Sequence, residues 1–149
     1  MATDNPATES HSRRVVRSPQ ETTAVAAEWL PHLLQAGVVS LEGPLGAGKT
    51  HFVKAVATAL GIPEDVTSPT FTLLQSYGSG EQRLHHSDWY RLESAVEVLA
   101  LGLEEYEGDG LILIEWGDKF PEILPPGTLR ICIAPQSDGS RLISLLARH

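Results

Sequence analysis

The stretch "GPLGAGKTHF", Gly43 to Phe52, constrains this chain more than any other. Three glycines crowd one lysine. Ahead of them "GVVSLEG" reads as a short apolar strand over Val38 to Leu41, and a helix follows with Phe52, Val56 and Leu60 on one side. Gly43, Gly48, Lys49 and Thr50 satisfy G-x-x-x-x-G-K-[ST] in the strand–loop–helix setting that this motif requires. Glycine lets consecutive N–H groups turn inward and approach an anion with no Cβ in the way. The helix dipole adds partial positive charge at the same place. Lys49 is long enough for outer phosphates, and the Thr50 hydroxyl suits the coordination shell of Mg2+. The expected ligand is a nucleotide phosphate.

The rest of the chain reads as the frame for that loop. "RSPQETTAVAAEWLPHLL" opens a helix with Ser18 as N-cap, Pro19 at the first position and Glu21 completing a capping box. Val25, Trp29 and Leu33 make its apolar stripe, so Trp29 is core or, alternatively, a ligand platform. Gly61 ends the helix after the loop. "FTLLQSYG" and "QRLHHSDWY" are strands around the turn "GSGE", and Ser94 with Glu97 caps a short helix through "AVEVLAL". "LILIE", Leu111 to Glu115, is a strand apolar on both faces. "TLRICIAP" and "SRLISLLA" form a hairpin through Asp138-Gly139. The expected fold class is α/β, a P-loop NTPase with a mixed sheet flanked by helices and an antiparallel C-terminal hairpin. The polar segment 1–13 reads as a disordered arm, neither signal peptide nor export sequence, and 14–149 as one domain.

A phosphate loop needs acids. Glu115 leaves the "LILIE" strand at its carboxyl end, where open α/β sheets bind ligands. It is placed to touch Mg2+ directly, to act through a water, or to orient the attacking water; the commoner residue there is Asp. Asp118, in the following loop, ranks below it. In "LHHSDWYRL" strand alternation puts Leu84, His86 and Asp88 on one face and His85 on the other. Asp88 beside the nucleotide is favoured over a zinc site, for which "HHSD" lacks a complementary Cys or His pair. In "TSPTFTL" the hydroxyls of Ser68 and Thr70 bracket a proline. They suit a loop that senses the terminal phosphate or its metal, and equally a Ser/Thr-Pro turn.

Charge and composition narrow the function. Nineteen acidic residues against eleven Lys and Arg leave a net charge of −8, which argues against this chain gripping nucleic acid alone. No apolar run approaches the roughly 20 residues of a membrane span. Cys132 is the only cysteine, so no intrachain disulfide forms, as expected of a cytoplasmic protein.

Taken in order, "GPLGAGKT", "SPTFTL", "HSDWYRL" and "LILIEWGD" resemble the bacterial TsaE (YjeE) family, from the first helix to the last hairpin. Members are small P-loop ATPases required for threonylcarbamoyladenosine in tRNA. The resemblance implies that Gly43, Leu45, Gly46, Ala47, Gly48, Lys49 and Thr50, with the adjoining His51, hold ATP. It implies Mg2+ on Thr50, a switch-like loop from Ser68 to Phe71, and Asp88 with Glu115 at the metal and hydrolysis centre. Trp116 would lie beside the nucleotide. Implied partners are TsaB and TsaD, with hydrolysis resetting their complex between turnovers and tRNA met only indirectly. His51 stands where a second threonine is common, and Pro44 where an acid often follows the first glycine. Two rivals share the loop. A small-molecule kinase usually carries an arginine-bearing lid, whereas here eight arginines are scattered. A guanine-nucleotide switch carries an Asn/Thr-Lys-x-Asp element that "GDKF" does not supply.

Overall fold

A computed structural model describes residues 12–69 and 73–146. Its strands form one seven-stranded sheet in the order β1-β7-β6-β2-β5-β4-β3. The strands are β1 (Ser12–Val16), β2 (Val38–Glu42), β3 (Leu74–Tyr77), β4 (Leu84–Asp88), β5 (Leu111–Glu115), β6 (Leu129–Pro135) and β7 (Arg141–Leu146). The central ladder β6-β2-β5-β4 is parallel, and the pairs β3-β4, β6-β7 and β1-β7 are antiparallel. Helices α1 (Pro19–Ala36) and α2 (Lys49–Leu60) pack together on one face. The short α3 (Ala95–Leu99) and several 3-10 turns cover the other. The expected α/β class with a C-terminal hairpin is the fold observed.

Strands β2 and β5 are mostly apolar because both their faces are covered. Every residue of β2 and β5 is buried, as a parallel strand between helical layers requires. The side chain of Ser18 accepts the Glu21 N–H at 3.1 Å and begins α1. Glu21 closes its half of the box one residue early, on the Arg17 N–H at 2.7 Å. Val25, Trp29 and Leu33 are all buried, so Trp29 is core rather than a ligand platform. Gly61, in the left-handed region, ends α2 and donates to Ala57 O and Thr58 O. Ser94 accepts the Glu97 N–H and begins α3.

One boundary needs correction. Ser12 and Arg13, expected in the arm, open β1, which pairs with β7 from Ser12 opposite Leu145 to Val16 opposite Arg141. An edge strand exposes alternate side chains, so "SRRVV" carries arginines that resemble a solvated tail. Arg14 has a real place there, bonded to Glu28 and 5.9 Å above the Trp29 ring. Residues 1–11 of the expected arm lie outside the described residues. Among the described residues no helix is long and apolar enough to cross a membrane.

A candidate phosphate-loop site

Three parallel strands deliver the site. In register, Leu41 of β2 lies beside Glu115 of β5, and Glu115 beside Asp88 of β4. All three strands point the same way, so their carboxyl ends open together onto the loop from 43 to 48. That alignment explains how acids 27 residues apart in sequence reach one cleft.

The loop is pinned from below. Gly43 has φ 148°, and a Cβ there would lie 2.4 Å from the backbone oxygen of Ile133 in β6. Only glycine fits that approach. Arg141 of β7 donates through Nε to Ala47 O at 2.7 Å, tying the loop to the far hairpin. Ala47 itself is fully buried, and its N–H is turned to Pro44 O at 3.1 Å. Gly48, at φ 104°, is the left-handed N-cap of α2.

Lys49 begins that helix. Its Nζ donates to Gly43 O at 2.7 Å and to Pro44 O at 2.8 Å, and lies 4.1 Å from the centre of the Trp116 ring. Burial lowers its pKa, opposed by the charges of Glu115, Asp118 and Asp88. Trp116 adopts the left-handed region at φ 63°, its N–H bound to Leu41 O. Tyr90 packs on it with ring centres 5.0 Å apart.

The next residue makes the closest tie. Thr50 Oγ1 donates to Glu115 Oε2 at 2.7 Å and lies 3.0 Å from Ser68 Oγ. Glu115 is buried, and the same Oε2 accepts from His86 Nε2 at 2.6 Å. Asp88 accepts the Tyr90 N–H at 2.9 Å. Burial raises its pKa; the Tyr90 N–H lowers it and the Glu115 charge raises it further. Lys49, Thr50, Ser68, Asp88, Glu115 and Trp116 line one open cleft of ≈ 320 Å³, with Leu45, Gly46, Gly48 and His51 at its loop side.

The sequence-expected residues therefore converge, with three exceptions of detail. Thr70 lies outside the described residues. Gly43 and Ala47 support the loop from within and do not line the cleft. Asp118 sits in the 3-10 turn Gly117–Lys119 beyond the cleft, where burial and then the Glu42 charge raise its pKa. The two histidines diverge as alternation requires. His85 turns to the other face, its ring nitrogens 2.7 Å from Ser76 Oγ and 2.7 Å from Asp109 O.

Sequence reasoning missed three participants. Tyr90 lines the cleft and lay two residues past Asp88 in the same motif. His86 was placed on the correct face without a role. Arg141 left no signal, because it arrives from a strand 94 residues past Ala47. Arg141 also lines a second cleft of ≈ 280 Å³ on the other side of Gly48 and His51, with Arg17 and Ser18.

Comparison with known proteins follows the same lines. The family model described as "Threonylcarbamoyl adenosine biosynthesis protein TsaE" matches residues 16–143. The tRNA threonylcarbamoyladenosine biosynthesis protein TsaE of Treponema pallidum is 44% identical over 138 residues, covering 89% of this chain and 98% of the relative. Its namesake from Bacillus subtilis is 43% identical over 131 residues, 87% of this chain and 82% of the relative. The crystal structure of Bacillus subtilis YdiB superposes with a TM-score of 0.67 at 35% identity, covering 89% of this chain and 82% of that one.

Proposed function

The chain belongs to the TsaE family, and from that premise we propose that it is a Mg2+-dependent ATPase. Its hydrolysis would reset a TsaB–TsaD complex between rounds of tRNA threonylcarbamoylation. One observation carries the ATPase reading: the Thr50 hydroxyl of the loop is bonded to the strand-end acid Glu115 at 2.7 Å, one residue after Lys49. A phosphate-binding turn alone does not need that bond. A site that couples a phosphate to a cation does.

The donor set fits Mg2+, which takes one or two carboxylates and keeps waters and phosphate oxygens for the rest. Thr50 and Glu115 would hold it, directly or through water, and when bound it neutralises charge across the phosphates. Lys49 supplies the fixed cation at the loop mouth, and the α2 N-terminus adds its dipole. Asp88, in register with Glu115, is the second acid available to orient the attacking water. Trp116 and Tyr90 form the apolar wall beside Lys49 and limit water access to it. The second cleft shares Gly48 and His51 with the first and would be open to the base and ribose of a nucleotide held by the loop.

The charge of −8 favours a role exerted through a protein partner, with tRNA met indirectly. Reconstitution tests this. Cognate TsaB, TsaD, the threonylcarbamoyl donor and tRNA are combined with this chain and Mg-ATP, and modified tRNA per TsaD is counted. Wild type sustains many turnovers and releases ADP and phosphate. Lys49→Ala loses nucleotide binding and turnover together. Glu115→Ala keeps most of its nucleotide affinity, losing only the part that Mg2+ adds, and loses hydrolysis. A phosphorylated small-molecule product, or ATP binding with no effect on modification, would overturn the reading.

A further inference from the structure

We infer that His86 is a positioning residue for Glu115, and that it decides which carboxylate oxygen serves the nucleotide. The inference rests on the proposal that Glu115 works at a hydrolysis centre.

Oε2 of Glu115 receives two donors, Thr50 Oγ1 at 2.7 Å and His86 Nε2 at 2.6 Å. A carboxylate oxygen has two lone-pair sites, so these bonds occupy it fully. Among the described residues no donor reaches Oε1. The free oxygen is therefore Oε1, and the carboxylate cannot rotate without breaking two short bonds. Because the partner is an acceptor, Nε2 carries a hydrogen; in the neutral ring Nδ1 is then the bare nitrogen.

That bare nitrogen separates function from packing. His86 is completely buried, and its Nδ1 has no hydrogen-bond partner among the described residues. Its neighbour His85, equally buried, has partners for both nitrogens in Ser76 and Asp109. His85 is thus a satisfied core histidine. His86 spends its single bond on the strand-end acid and leaves its other polar atom unpaired, a cost that an aliphatic residue at this position would avoid. Placement supports the same role: β4 carries His86 two residues before Asp88, so one strand orients one acid and supplies the other.

The test uses the full chain with His86→Leu, which removes the donor, and His86→Gln, which keeps an N–H at similar reach. Three quantities are measured: kcat and KM for ATP, the gain in ADP affinity on adding Mg2+, and the midpoint of thermal unfolding. His86→Leu should lower kcat about 10- to 100-fold, the usual effect of losing such an outer support. KM should stay within about threefold, since the loop itself is untouched. The gain from Mg2+ should fall to that of Glu115→Ala, with the unfolding midpoint unchanged or raised. His86→Gln should recover most of the loss. Adding His86→Leu to Glu115→Ala should change nothing further, because the two act through one carboxylate. Should His86→Leu lower only the midpoint, or should its effect multiply with that of Glu115→Ala, the role is structural and the inference fails. If His86→Leu does not fold, the Gln variant and imidazole nitrogen spectra of wild type decide. An Nε2 without a hydrogen, or an Nε2 signal unmoved by Glu115→Ala, overturns it. Wild type that neither hydrolyses ATP nor responds to Mg2+ removes the ATPase reading itself, and this inference with it.

Discussion

Asp88 and Lys49 are held against their electrostatic preference. Burial raises the Asp88 carboxyl and lowers the Lys49 ammonium, so in each case the native state disfavours the charged form. For Asp88 the native state binds more protons than the unfolded chain between the ordinary Asp range and the raised folded value. Stability therefore falls as pH rises through that window, and the full penalty stands at neutral pH. For Lys49 the charged form's penalty also stands at neutral pH and lifts only as pH rises through its lowered folded value. Asp88→Asn keeps an acceptor for the Tyr90 N–H and removes the charge. It should raise the unfolding midpoint at pH 7, flatten the acid side of the stability profile and abolish hydrolysis. Thermal melts from pH 4 to 8 check the first two; a variant less stable than wild type at pH 7 contradicts them. At this scale the motif residues were legible because each chemistry demands a residue type at a fixed spacing. Arg141 was not, since a guanidinium bonded to a loop carbonyl has no local pattern.

The loop is held by elements far from it in sequence. Gly43 packs its Cα against Ile133 O of β6, and that oxygen belongs to a strand paired on both sides. Neither partner can yield as a flexible side chain would. Gly43→Ala should therefore cost about 1–3 kcal/mol from strained backbone alone and should cut nucleotide affinity by more than tenfold. Gly37→Ala is the control: its φ is also positive, at 79°, but a Cβ there meets nothing within 4 Å. It should cost about 1–2 kcal/mol from its positive φ alone and leave nucleotide binding intact. Urea unfolding and nucleotide titration on both variants decide whether the close approach, rather than the conformation, is what matters. The elements with caps and apolar periodicity were legible, namely α1, α2, β2 and β5. Strand β1 was not, because an arginine-bearing edge strand takes its identity from pairing with β7 rather than from its own residues. The short α3 ends at Leu99, earlier than "AVEVLAL" suggests, because Ala100 is its C-cap and Gly102 then turns left-handed.

Across the whole molecule the site is a junction. Its acids come from β4 and β5, its loop from β2, its cation and hydroxyl from α2, and its anchors from β6 and β7. Strand order was beyond sequence reasoning for this reason: six parallel or antiparallel pairings are chosen by long-range contact, and no segment names its partner. The same fact makes ligand binding a global event. A nucleotide with Mg2+ in the cleft would bridge elements that otherwise carry desolvated charges of both signs. Binding to the native state alone adds about 2.7 kcal/mol at a ligand concentration 100 times Kd. For a chain of this size that corresponds to a rise of roughly 5–10 °C in the unfolding midpoint. Mg-ADP should produce that rise in wild type, a smaller one in Glu115→Ala, and none in Lys49→Ala. The shift should appear equally in signals from the β6-β7 hairpin and from α1, since neither can unfold without opening the loop. A rise confined to probes near Trp116 would mean that the ligand orders the cleft alone, and that Arg141 and Ile133 do not couple it to the far side of the sheet.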